Sequence, residues 1–96
     1  MHRHITLSIK QQDRICLVER LAQLLTETEQ RVAFLATQGY TSKQIAARLG
    51  NRPRTVERHI ESITIKAKAV YGRDVCFRNQ IVPELYCYYF LTEDRF

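Results

Sequence analysis

The spacing of apolar residues breaks this chain into a series of amphipathic helices. From Ile9 to Leu25, the residues Ile9, Cys16, Leu17, Leu21, Leu24 and Leu25 recur at intervals that keep them on one helical face. Lys10, Asp13, Arg14, Arg20 and Gln23 take the other face, and Ser8 is placed to cap the start after a lead-in over Met1 to Thr6. Thr26-x-x-Glu29 then has the form of a capping box, in which each side chain reaches the other residue's amide. It predicts a second helix backed by Val32, Phe34, Leu35 and Ala36 and ended by Gly39. Thr41 or Ser42 should cap a third, from Lys43 to Leu49, with Ile45, Ala46 and Leu49 buried and the small Ala46 at a close crossing. After the Gly50-Asn51 turn, Pro53 suits the first turn of a fourth, where its missing N–H costs nothing.

That fourth helix is the longest, running to Tyr71. Its apolar stripe is Val56, Ile60, Ile63, Ala67 and Val70, spaced four, three, four and three; Arg54, Glu57, Arg58, Glu61, Ile65 and Lys68 lie opposite. Gly72 breaks it, and Asp74 can cap a further helix. Val75 to Val82 is expected to be helical, with a kink or restart at Pro83 and an aromatic segment from Glu84 to Leu91. Tyr86, Tyr88, Tyr89 and Phe90 are too many for one short helix to bury against a small core, so some are expected at a dimer or partner contact. The chain is therefore read as all-α. Its parts are an N-terminal helix over 1–24 for support or dimerisation, a central unit over 25–72, and an aromatic C-terminal helix over 73–96 for core or dimer contact.

Charge sharpens this picture. The net charge is +5. Between Lys43 and Arg78 stand nine basic residues against Glu57, Glu61 and Asp74, so this segment alone carries +6 and the rest sums to −1. Such segregation favours a polyanionic partner. Two short helices joined by a tight turn, the second with a long polar face, form the sequence pattern of a helix-turn-helix.

Other chemistry is poorly supplied. Cys16, Cys76 and Cys87 include no C-x-x-C spacing and are expected as buried free thiols; a zinc site would need four clustered ligands. His2 and His4 lie in a tail and are not read as a metal site. With three glycines in all there is no phosphate-cradling loop, and no Cys–His pairing within reach suggests a nucleophile, so neither enzyme nor cofactor is expected. No run of about 18 apolar residues is present to span a membrane. The N-terminus lacks the apolar core of a secretory signal, which makes a cytoplasmic location the expectation.

The segment from Leu25 to Lys66 resembles the LuxR/FixJ-type DNA-binding domain. The matching residues are Leu25-Thr26-x-x-Glu29, the run Gly39-Tyr40-Thr41-Ser42-Lys43-Gln44-Ile45-Ala46, Leu49, and Thr55-Val56-Glu57-Arg58-His59 followed by Ile63 and Lys66. The resemblance implies a LuxR-type, winged-helix-like tetrahelical bundle, here with an extra N-terminal helix and an aromatic C-terminal helix. It implies a transcriptional regulator that binds double-stranded DNA as a homodimer, with a recognition helix from about Pro53 in the major groove. By position, Glu57, Arg58 and Glu61, with Arg54 on the same face, would reach base edges. Thr41, Ser42, Lys43, Arg52, Thr55 and Lys66 would touch phosphates, and His59 would pack at the protein–DNA boundary. Asn51 and Arg52 replace the apolar residue and serine that relatives usually carry before this helix, which makes Asn51 the expected cap. Ala67 and Ala69 are smaller than their usual counterparts, and the match fades after Gly72. A second reading keeps the fold but changes the partner: a helix-turn-helix-derived module that holds another regulator and binds DNA weakly or not at all.

Overall fold

The structure, a computed structural model, describes the backbone of residues 9–91 and the side chains of residues 16–90. Its elements are α1 (Ile9–Leu24), α2 (Glu27–Thr37), α3 (Ser42–Leu49), α4 (Pro53–Tyr71), a π-helical turn (Phe77–Ile81) and α5 (Val82–Leu91). The cap expected at Ser8 and the His2/His4 pair lie outside the described residues, as does the side chain of Ile9.

Local chemistry explains most boundaries. Thr26 caps α2 with the expected box: its hydroxyl accepts from the Glu29 amide and Glu29 accepts from the Thr26 amide. Thr41 caps α3 through a second box with Gln44, which the sequence spells as Thr41-x-x-Gln44. Gly50 closes α3 in the left-handed region at φ 69°, which a Cβ would disfavour. Beyond α4, the chain enters the π turn, whose first amide is tied down when the Cys76 N–H donates to Oε1 of Gln80 at 2.6 Å. Of the expected Val75–Val82 helix, residues 77–82 are helical, with Phe77–Ile81 wound as a π-helix, while Val75 and Cys76 form an extended link. The physical reason is Pro83, which cannot donate one turn back and whose ring crowds the preceding turn; the i→i−5 bond from Val82 to Phe77 gives it room.

One hydrophobic core joins all the helices. α3 packs on α4, and Ile45 and Ala46 of the one and Val56 and Ile63 of the other are all at most 1% exposed. α2 lies against both α4 and α5, and α1 packs on α4 and α5. Leu21, Val32, Ile81 and Leu85 are fully buried among them.

One packing expectation is met in part and another is overturned. α1 buries Val18, Leu21, Ala22 and Leu25, while Cys16 and Leu24 face outward. Of the expected stripe, Leu21 and Leu25 are buried and Leu17 is half-buried, while Val18 and Ala22 take the buried places expected of Cys16 and Leu24; α5 and α4 both pack on α1. All three cysteines are exposed rather than buried. Cys76 sits in the link before the π turn, and Cys87 on the outer edge of α5.

Candidate nucleic-acid interface

The outward face of α4 is set by its buried one. Val56, Ile63 and Ala67 are fully buried, and Ile60 and Val70 half-buried, so the intervening residues must point away from the protein. Arg54, Glu57, Arg58 and Glu61 are all exposed along the first three turns, as expected of a free face. None of the four forms an ion pair among the described residues. The order of charge is mixed: Arg54 and Arg58, and Glu57 and Glu61, stand four apart as like pairs, while Arg54 and Glu57, and Arg58 and Glu61, stand three apart as opposite pairs. Each pair is worth a few tenths of a kcal/mol, so the two kinds offset and the face adds little to the helix on its own.

The start of α4 adds little either. Arg52, not Asn51, is the N-cap residue, and it makes no side-chain capping bond. There is no acidic residue in the first turn, and Pro53 holds the first helical position. The Thr55 and Val56 amides both donate to the Arg52 carbonyl, at 3.0 and 3.2 Å, but no side-chain oxygen caps the turn, and the positive end of the helix dipole meets the cations of Arg52 and Arg54. Replacing Arg52 by serine is expected to stabilise the fold by about 1 kcal/mol through a new cap. Thermal unfolding should register this as a rise in Tm of roughly 4–8 °C. A lower Tm would mean that Arg52 supports the fold in a way its exposed position does not indicate.

The residues expected at phosphates separate into two groups. Thr41, Lys43 and Arg52 are exposed, and Ser42 and Thr55 are half-buried. Thr41 accepts from the Gln44 amide, which leaves its hydroxyl proton to donate elsewhere. Lys66 departs from expectation. Its ammonium donates to Oε1 of Glu29 at 2.6 Å and is mostly covered, so its charge is neutralised inside the chain. Lys68 lies 3.7 Å from Asp74.

Glu29 is the buried charge among the described residues, at 4% exposure. It holds the Thr26 amide at 2.8 Å and the Ser62 hydroxyl at 2.5 Å in addition to Lys66. Burial alone would raise its carboxyl, but the bonds from Lys66, Ser62 and Thr26 outweigh that and hold it at about 2. Glu29 thus fastens the first turn of α2 to the middle of α4. The capping half of this arrangement is readable from sequence; its partners at Ser62 and Lys66, more than thirty residues away, carry no local signal.

His59 is half-buried and lines a polar cleft of about 370 Å³ with Thr28, Arg31, Leu49 and Asn51. It faces back toward α2, which suits packing at the edge of the interface. A larger, mainly apolar groove of about 550 Å³ lies between α2, α3 and α5, lined by Phe34, Leu35, Leu49 and Tyr89, with Glu27 and Arg31 paired at its rim.

The four aromatics expected at a dimer or partner contact divide. Tyr88 and Tyr89 are 5% and 6% exposed and belong to the core. Tyr89 meets the edge of Phe34 with ring centroids 5.6 Å apart, and burial, with Tyr88 alongside, pushes its hydroxyl up to about 12. The reason is helical geometry: Leu85, Tyr88 and Tyr89 share the face toward α1 and α2, whereas Tyr86 and Phe90, one turn apart, remain half exposed on the other.

Among the described residues no group of His, Cys, Asp and Glu could hold a metal, and no helix is long and apolar enough to cross a membrane. A family model described as bacterial regulatory proteins, luxR family, matches residues 23–70, half of the chain. No curated protein and no solved structure matches significantly.

Proposed function

The chain belongs to the luxR family of bacterial regulatory proteins, and from that premise we propose that it binds a specific duplex DNA site with α4 in the major groove. One observation carries this reading: Arg54, Glu57, Arg58 and Glu61 stand exposed, with no ion-pair partner among the described residues, on a helix whose back is fully buried. A major groove admits one α-helix, and phosphates on either side would receive the cations at its edges. Arg58 can donate two bonds to guanine O6 and N7. Glu57 and Glu61 can only accept, which suits cytosine N4 and makes them poor contacts to phosphate. Thr41, Ser42, Lys43, Arg52 and Thr55 would meet the sugar–phosphate backbone and fix the register. Lys66, held by Glu29, is left out of this set.

The protein would act in the cytoplasm as a homodimer, joined through the Tyr86–Phe90 edge of α5, so that two α4 helices reach successive half-sites. The two glutamates on the α4 face support a second reading, in which that face holds another regulator instead of DNA.

Fluorescence anisotropy separates the two. A random-sequence duplex should bind with a logarithmic affinity that falls by about 0.9 per contacted phosphate for each tenfold rise in salt. On a site selected from a random pool, Arg58→Ala should cost about 1–3 kcal/mol, about 5- to 150-fold, with little effect on unselected duplex. Absence of duplex binding at low salt, together with a stable protein complex, would sink the DNA reading and establish the adaptor.

A further inference from the structure

The residues after Gly72 lie outside the matched family segment, yet one of them reaches into the helix-turn-helix. Arg78, in the π turn, donates from Nη1 to the carbonyl oxygen of Tyr40 at 3.1 Å and from Nη2 to Oγ of Ser42 at 3.4 Å. Both acceptors flank Thr41, the cap of α3. The position of Arg78 is fixed from behind by its neighbours in sequence: Phe77 and Ile81 are buried, and the guanidinium lies 5.5 Å from the Phe77 ring centre. The same turn is held from its other side by Arg48, stacked over the Tyr40 ring at 4.1 Å.

Two features of this arrangement exceed what bracing a turn requires. A guanidinium carries five N–H donors, and these bonds use two, so three remain to be satisfied. Both acceptors are neutral, and Arg78 forms no ion pair among the described residues, so its full positive charge stays exposed beside Thr41, Ser42 and Lys43. A lysine could brace the turn with less geometric demand. The planar fork suits a group that holds two oxygens of the protein while offering its other edge to an anion.

We propose that Arg78 is a further DNA-backbone contact, whose guanidinium bridges the α2–α3 turn and the phosphate that meets the amino end of α3. The inference rests on the DNA-binding reading above and extends the interface to the C-terminal segment. Its two fixed hydrogen bonds lower the entropy lost when a phosphate binds, because the side chain is already held in place.

The test compares the whole chain with Arg78→Gln and Arg78→Lys, using a random-sequence 30-base-pair duplex over a range of salt. Arg78→Gln is expected to reduce the magnitude of the salt slope by about 0.9, the loss of one phosphate contact. Arg78→Lys keeps the charge and should keep the slope. A role confined to bracing the turn would weaken Arg78→Gln and leave its slope at the wild-type value; that result overturns the proposal while the DNA-binding reading stands. Failure of the wild-type chain to bind duplex at low salt overturns both. The unsubstituted protein supplies an independent readout should Arg78→Gln not fold: the ¹⁵N-labelled Arg78 Nε–H resonance should shift on saturation with duplex, and an unmoved resonance overturns the proposal.

Discussion

Replacing Glu29 by glutamine is expected to cost the fold about 3 kcal/mol. That cost is the low end of the range for removing one partner of a buried ion pair, about 3–5 kcal/mol. Glutamine retains an oxygen for the Thr26 amide but has no charge for Lys66, whose ammonium is mostly covered and would lose its partner. For a domain whose total stability is on the order of 5–15 kcal/mol, this is a large fraction. The Glu29 carboxyl is depressed on folding, so its contribution is fully present above pH 4.5 and is lost as pH falls toward 2. Urea unfolding between pH 7 and pH 2 checks both points. Wild type should lose stability steeply below pH 4.5, and the gap between wild type and Glu29→Gln should narrow there. A gap independent of pH would show that glutamine acts by altered packing and not through the ion pair.

Leu85→Ala is expected to remove about 2–5 kcal/mol, the usual range for emptying a buried leucine site. Leu85 is completely buried where α5 meets α1 and α2, although it lies beyond the matched family segment. Tyr86→Ala, one residue further and 53% exposed, should change monomer stability by less than about 0.5 kcal/mol. The pair measured side by side in urea tests whether the C-terminal helix belongs to the same cooperative unit as the helix-turn-helix. Equal small losses would mean that α5 is an appendage that opens separately.

The parts legible in the sequence are those governed by neighbours. The bounds of α4 from Pro53 to Tyr71 follow from proline at one end, glycine at the other and an unbroken stripe between. The box at Thr26 and Glu29 is legible for the same reason, and Thr41 with Gln44 obeys the same rule. What escapes a sequence reading depends on elements distant along the chain. In α1, Leu21 belongs to two candidate stripes, one through Leu17 and Leu24 and one through Val18 and Leu25. The packing of α1 on both α4 and α5 decides between them, and periodicity within α1 contains nothing about either. The aromatic segment poses the same difficulty: its richness is visible, but only the docked helix sorts Tyr88 and Tyr89 inward from Tyr86 and Phe90. The place of Lys66 in the motif points to a phosphate, whereas the buried carboxylate that holds it comes from the opposite end of the motif.

A rod held at one point can pivot, and a rod held at two has a direction. Val56, seated against α3, is one pin of α4, and the carboxylate that grips Ser62 and Lys66 is the other, six to ten residues on. At 1.5 Å per residue the far pin stands about 20 Å behind the tip at Pro53. Over that length a tilt of about three degrees about the far pin would carry the tip sideways by about 1 Å, comparable to the tolerance of a hydrogen bond. On the proposed DNA reading, part of the sharpness of sequence choice would then arise at a buried site that nucleic acid does not reach.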